Sequence, residues 1–212
     1  MNVNPDATVV LCYGDSNSYG QRADIKGGRW PADVRWTGVL QQELGDDYYI
    51  IEEGLPSRTT DLDYDQKPGR NGRTYLAPCL GSHNPIDVVI LMLGTNDLKV
   101  TFDRPVQQIA DALKGLVDDI YAYARTKDGQ QPKVILVSPI HIGDNLPAGP
   151  HYDQNSIDKS QQLGPVIRAV AEAQGCLFID AAEVASPGED GIHLTKDSHI
   201  PLAGKLAHII RI

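Results

Sequence analysis

Ser16, in the run Gly14-Asp15-Ser16-Asn17, and His193, in the run Asp190-Gly191-Ile192-His193, are the side chains in this sequence best suited to nucleophilic chemistry. A serine hydroxyl attacks well only when an imidazole removes its proton, and the imidazole works best when a carboxylate fixes its tautomer. Asp190 offers that carboxylate three residues before His193, and Gly191 lets the chain turn tightly enough for both side chains to face one way. Attack on a carbonyl also places negative charge on oxygen, which must be met by hydrogen-bond donors. Candidates are the backbone amides of Ser16 and Gly54 and the side-chain amide of Asn96, in Gly94-Thr95-Asn96-Asp97. Taken singly, Asp-Gly is a common turn, Gly54 is a turn residue and Asn96 is a cap. Taken together, the four blocks point to acyl transfer through a serine.

Each block lies where an apolar run ends or shortly beyond one. Five runs read as short buried strands: Thr8 to Tyr13, Tyr49 to Glu52, Asp87 to Leu93, Lys133 to Ser138 and Leu177 to Asp180. They are rich in Val, Ile and Leu without strict alternation, as in a parallel sheet covered on both faces. Helical spacing separates them. Trp36, Val39, Leu40 and Leu44 recur before Gly45, and Val106, Ile109, Leu113, Leu116, Val117 and Ile120 form a stripe within Pro105 to Arg125. Asp103 is the expected cap of that second helix, with Pro105 at its first position. A third helix is predicted from Ile157 to Ala173, with a break or kink at Gly164-Pro165, and a last one from Pro201 to Ile210. Alternating strands and helices give one three-layer α/β domain over 1–212, with the carboxyl ends of the strands facing a common crevice. Gln21 to Val34 and Ile140 to Asn155, with its Pro147-Ala148-Gly149-Pro150 punctuation, lack regular pattern and are expected on the crevice rim.

Composition narrows the partners. Nineteen basic against 28 acidic residues leave a formal charge of −9, and the basic residues do not cluster, which argues against nucleic acid. No apolar run approaches the ~18 residues of a membrane helix, and the polar start, Met1 to Asp6, does not read as a signal peptide. Cys12, Cys79 and Cys176 are an odd set without CxxC spacing, read as reduced thiols in a cytoplasmic protein. His83, His141, His151, His199 and His208 show no ligand spacing, and no phosphate-binding glycine pattern surrounds Gly14. No metal or other cofactor is expected.

The four blocks resemble those of the SGNH hydrolases, the GDSL lipase/esterase superfamily. Asp33-Val34-Arg35-Trp36-Thr37-Gly38-Val39-Leu40, Ile51-Glu52-Glu53-Gly54-Leu55, Ser57-Arg58-Thr59-Thr60 and Met92-Leu93-Gly94-Thr95-Asn96-Asp97 are similar to the mycobacterial aryl esterase and acyltransferase subgroup. The resemblance implies a flavodoxin-like α/β/α fold with a mainly parallel five-stranded sheet in the order 2-1-3-4-5. It implies Ser16, Asp190 and His193 as the catalytic triad, with Ser16, Gly54 and Asn96 forming the oxyanion hole. The implied reaction is hydrolysis of small, mainly acetyl, carboxylic esters, with an alcohol competing with water where the pocket is dry. A homo-oligomer is implied as well. Two other readings stay open: a carbohydrate O-acetyl esterase, and an inactive binding protein on the same fold.

Asn17 stands where the GDSL signature has Leu, a change expected to alter packing. Tyr19 and Gln21 replace aromatic residues of the nearest relatives near the acyl pocket. With Trp30 and Ile192 they are the candidate substrate contacts. Asp15 is expected to cap and shape the serine turn, Arg58 to hold a loop, and Trp36 to pack in the core.

Overall fold

In the computed structural model, which describes residues 2–24, 26–147 and 149–211, the apolar run Thr8–Gly14 forms β1 in the interior of a parallel sheet. Tyr48–Gly54 (β2), Val88–Met92 (β3), Lys133–Ser138 (β4) and Leu177–Asp180 (β5) complete it in the order β2-β1-β3-β4-β5. Ile25 and Ala148, within the two expected rim stretches, lie outside the described residues, as do Met1 and Ile212. The register aligns Gly14 with Gly54 on one side and with Met92 on the other, so β1, β2 and β3 end at one level. The chain leaves β1 toward one edge for β2 and returns to the other side for β3. Such a reversal opens a crevice at the strands' carboxyl ends.

Alternate residues of the strands feed two cores. Leu11, Tyr13, Val89, Leu91, Val134 and Leu136 pack under helices Gly72–His83 (α3), Val106–Tyr123 (α4) and Gln154–Gln174 (α5). Val10, Cys12, Ile90, Met92, Ile135 and Val137 face Trp36–Leu44 (α2) and His199–Ile210 (α6). Each fully buried aliphatic side chain contributes about 1.5–3 kcal/mol, so these two layers supply most of the driving force for closing the domain.

Three expectations are corrected. α4 begins after Pro105 with no side-chain cap, because Asp103 sits in the left-handed region at φ 40°. α5 runs unbroken through Gly164 and Pro165. Pro165 faces outward, where a missing amide is cheap, and a Cβ on Gly164 would meet Asp180 Oδ2 at 2.6 Å, so the pair lets α5 approach the end of β5. The same helix starts three residues earlier than its apolar spacing suggested, because Asp153 and Ser156 form a reciprocal capping box. α3 was absent from the apolar spacing altogether. Its Asn71 cap accepts from the Thr74 amide, and Pro78 lies on its exposed side.

α2 and α6 are locked by a buried imidazole. His199 is fully buried and its Nδ1 accepts from the Trp36 backbone N–H at 3.1 Å, which requires the neutral tautomer with its proton on Nε2. Burial pushes its pKa down to about 4. Since the folded value lies below the unfolded one of about 6.5, the stabilisation is complete above that pH and is lost as pH falls toward 4. Between pH 7 and pH 5 this histidine alone should cost about 2 kcal/mol of stability. His199→Asn, whose Oδ1 can accept from the same amide, should show a flatter urea-unfolding midpoint over that range; equal pH sensitivity in the two proteins would reject the assignment.

Candidate active site

The serine turn is built by hydrogen bonds that leave little freedom. Asp15, 1% exposed, caps the four-residue helix Ser16–Tyr19 (α1) by accepting from the Asn17 amide at 2.9 Å, and Gly20 closes the helix in the left-handed conformation. Burial pushes the Asp15 carboxyl up, against the pull of that amide. Gly54 permits the neighbouring strand to meet this turn. A Cβ there would lie 2.1 Å from the Tyr19 amide nitrogen, so any other residue would push β2 away from α1. Trp36 supports the turn from below, its indole N–H donating to the Asn17 carbonyl at 3.1 Å.

The histidine arrives on a strap between β5 and α6. Pro187 and Leu194 pair as an antiparallel bridge, the Gly188 amide donates to the His193 carbonyl at 2.8 Å, and Gly191 turns the tip at φ 69°. Gly143 and Asn145 hold that tip from the loop after β4, through hydrogen bonds to the carbonyls of Gly191, Gly188 and Glu189. Asp190 Oδ1 accepts from the Ile192 and His193 amides, each at 2.9 Å, while its Oδ2 lies 2.6 Å from His193 Nδ1. Burial raises this carboxyl, but the ring and the two amides outweigh it and hold it below the ordinary aspartate value. With Asp190 ionised, Nδ1 carries the ring proton, and the Nε2 lone pair faces Ser16 Oγ at 2.9 Å. The arrangement can accept a proton from the hydroxyl, which is what nucleophilic attack requires.

Ser16, Asn96 and His193 open into a cavity of about 190 Å³, together with Gln21 and Ile192. The Asn96 side chain is buried and its NH₂ donates to the Arg58 carbonyl at 3.1 Å and, over a longer 3.4 Å, to Asp15 Oδ2. Asp97, fully buried, ties this block to the loop after β2. It accepts from the Thr60 amide at 3.0 Å and from Arg104 Nη1 at 2.8 Å, and burial pushes its pKa up to about 6 against those bonds. Arg58 is buried as well. It donates to the carbonyls of Gly14 and Glu53 and stacks 4.1 Å over the Tyr13 ring, so it braces the ends of β1 and β2.

Of the expected substrate contacts, Gln21 and Ile192 line this cavity and Tyr19 and Trp30 do not. The Tyr19 ring is covered by the Arg29 guanidinium at 4.4 Å, and the Trp30 ring by Arg22 at 4.2 Å. Lining residues that sequence reasoning missed are Ser57, Lys67, Lys99 and His151; Tyr152, which a sugar-binding rim would need beside Tyr19, Trp30 and Asp153, lines the cavity without those three. Ser57 carried one detectable oddity only in three dimensions, a φ of 67°, costly for a residue with a side chain. An adjoining cavity of about 300 Å³ shares His151, Tyr152 and Ile192 and is walled by Leu146, Pro147 and Pro150.

Metal-ligating side chains meet at one place among the described residues. Glu53, Cys79 and His83 bring their ligand atoms within 4.8 Å of one another, a grouping invisible in sequence spacing because Glu53 comes from β2 and the other two from α3. His83 Nε2 already lies 2.9 Å from Glu53 Oε1.

The family model described as the GDSL-like lipase/acylhydrolase family matches residues 12–199. Among solved structures, the native aryl esterase of M. smegmatis is 38% identical, with a TM-score of 0.90 over 97% of this chain and 99% of that one. A carbohydrate acetylesterase from Sinorhizobium meliloti is 35% identical, with a TM-score of 0.89 over 96% and 98%. No curated protein matches the chain.

One side chain links the serine turn to the histidine strap. Asn17 Oδ1 accepts from the Leu194 amide at 2.9 Å and its Nδ2 donates to the Ile192 carbonyl at 3.3 Å, bracketing His193 on both sides. The asparagine in place of the signature leucine therefore clamps the imidazole-bearing segment as well as filling space. Asn17→Leu strands a buried amide, at a cost of about 1–3 kcal/mol, and frees the imidazole to tilt. We expect kcat for a phenyl ester to fall about tenfold with KM nearly unchanged, following the misplacement of a catalytic group. Asn17→Asp, which still accepts from Leu194, should fall between; wild-type kcat in the leucine variant would show that the clamp is dispensable.

Proposed function

The chain belongs to the GDSL-like lipase/acylhydrolase family, and from that premise we propose Ser16 as its nucleophile, His193 as its general base and acid, and Asp190 as the group that orients the histidine. The protein is a serine esterase acting on small carboxylic esters. The observation that carries the assignment is the continuous hydrogen-bonded line from Asp190 Oδ2 through the imidazole to Ser16 Oγ, at 2.6 and 2.9 Å, ending in a cavity.

Ser16 Oγ attacks the ester carbonyl carbon as His193 Nε2 takes the hydroxyl proton, and the carbonyl oxygen becomes an oxyanion. Ser16 N–H and Gly54 N–H are the proposed backbone donors to it. Asn96 joins them by giving up its long contact with Asp15, which the developing charge replaces. Collapse breaks the bond to the alcohol oxygen, which leaves with the proton from Nε2. Water then attacks the acyl-enzyme, passing one proton to Nε2, and the second collapse returns that proton to Ser16 as the carboxylic acid departs. An alcohol entering in place of water yields a new ester by the same steps, and the apolar walls at Leu146, Pro147 and Pro150 support that route. Gln21 and Ile192 are the proposed substrate contacts; Tyr19 and Trp30 enter only as supports of the surrounding loop. No step calls for a metal or other cofactor.

The carbohydrate acetylesterase among the structural relatives favours an acetylated sugar as a second class of substrate. A panel of aryl, alkyl and sugar acetates separates the two: higher kcat/KM for sugar acetates selects the second reading. We also take 1–212 as one hydrolase domain that assembles as a homo-oligomer in the cytoplasm. Support comes from the single sheet, the breadth of the similarity to solved relatives, and three unpaired cysteines. No described helix is long and apolar enough to cross a membrane. Light scattering that finds only monomer at all concentrations would remove the assembly.

Ser16→Ala should fold as wild type and lose at least ~10⁴-fold in kcat for phenyl acetate. Asn96→Ala should lose about 100-fold in kcat with a smaller change in KM. Turnover within a few-fold of wild type in either variant would remove that residue from the mechanism.

A further inference from the structure

Two ammonium groups stand in the wall of the catalytic cavity of a chain whose formal charge is −9. Lys99 follows the Asn96 block on the same turn and is only 7% exposed. Its Nζ donates to the Tyr64 hydroxyl at 3.0 Å and lies 5.1 Å from the Tyr64 ring and 5.9 Å from the Tyr152 ring. Lys67, exposed to solvent at the rim of the cavity, lies 5.7 Å from the same Tyr64 ring. A buried ammonium is costly unless a carboxylate pairs with it. Among the described residues neither lysine has a carboxylate oxygen within ion-pair distance.

The nearest acids, Asp15 and Asp97, favour the Lys99 charge through space, but their oxygens contact other groups. Asp15 caps α1 and meets Asn96, and Asp97 is bound by Thr60 and Arg104. Asp190 serves His193. The tyrosine rings and hydroxyl soften the burial of Lys99 without neutralising it, since a ring face and a phenol carry no net charge at neutral pH. Burial, with the like charge of the exposed Lys67 nearby, pulls the Lys99 pKa down to about 8. A cavity wall of this kind, beside Ser16 and with no carboxylate in contact with either ammonium, is complementary to an anion delivered by the substrate.

We infer that the esters this site is built for carry a negatively charged group, a carboxylate being the simplest, which Lys99 and Lys67 receive while Ser16 attacks the ester carbonyl. This rests on the esterase reading above and adds to it a substrate class. The rest of such a substrate has room in the adjoining cavity walled by Leu146, Pro147 and Pro150, which meets the catalytic cavity at Tyr152 and Ile192. The ammonium groups therefore select by charge, and the apolar walls accept the hydrocarbon part without discriminating finely.

The test compares matched pairs of esters that differ only in charge. 4-Acetoxybenzoate against its methyl ester places the carboxylate on the alcohol half, and phenyl hydrogen succinate against phenyl methyl succinate places it on the acyl half. We expect kcat/KM to favour the charged member of at least one pair by about tenfold, the size of one charge-assisted hydrogen bond. The favoured pair then shows which half of the substrate the lysines hold. That ratio should fall about tenfold in Lys99→Met, fall further with Lys67→Met added, and survive in Lys99→Arg; because it is a ratio within one protein, a general loss of folding cancels. In the wild-type protein, added salt should reduce the ratio. Equal kcat/KM within both pairs, or a preference untouched by the double substitution, would overturn the proposal while leaving the esterase reading intact. Failure to hydrolyse any of the four esters would overturn both.

Discussion

A hydroxyl at Ser16 is chemically inert unless a lone pair from His193, 177 positions away in the chain, is held within hydrogen-bond reach. The fold is arranged around that one contact. Parallel register stops β1, β2 and β3 at a common level, which sets the serine turn between Gly54 and the Asn96 block. The strap carrying His193 is then fastened at three places: to Asp190 by the carboxylate, to the loop after β4 through Gly143 and Asn145, and to the serine turn through Asn17. Each fastening is a modest interaction of about 1 kcal/mol. Acting on one short segment they fix an imidazole to within the few tenths of an ångström that proton transfer demands.

The same crevice is unusually rich in buried ionisable groups. Asp15, Asp97 and Lys99 are each at most 7% exposed, and burial shifts each toward its neutral form. Asp97 offsets that penalty with an arginine and a threonine, and Asp15 with an amide and an asparagine. Lys99 touches only a phenol and two ring faces, with Asp15 and Asp97 acting on it through space. A site whose buried acids are hydrogen-bonded and whose buried lysine touches no carboxylate can receive an incoming anion at that lysine. That positive charge is local, because the chain as a whole is acidic.

Much of this was legible in the order of the residues, for identifiable reasons. Buried parallel strands are apolar on both faces, so all five could be placed within two residues of their ends. The helix stripes of α2 and α4 were equally plain. α3 was lost because Gly72, Thr74, Tyr75, Pro78 and Gly81 dilute its pattern to Leu76, Cys79 and Leu80, and Gly164-Pro165 suggested a break where close packing on Asp180 was the real cause. Ser16, Gly54 and Asn96 stood out because each lies at or just after the end of a strand, and Asp190 and His193 because of their spacing around a glycine. Lys99 and Lys67 did not, since an ammonium in a loop has no spacing that distinguishes a cavity wall from a solvated surface. The clamp by Asn17 was hidden for a related reason: its partners are backbone groups from the far end of the chain, and backbone groups leave no trace in sequence.

The proposed chemistry requires the acyl group to pass through Ser16. Rapid acid quenching during turnover of phenyl acetate, followed by mass mapping of the peptides, asks this directly. An acetyl group should appear on the Ser16 peptide, forming at least as fast as the steady-state turnover and disappearing when substrate is exhausted. Full turnover with that serine unmodified, or with the acetyl group on another residue at a competent rate, would contradict the mechanism at its first step.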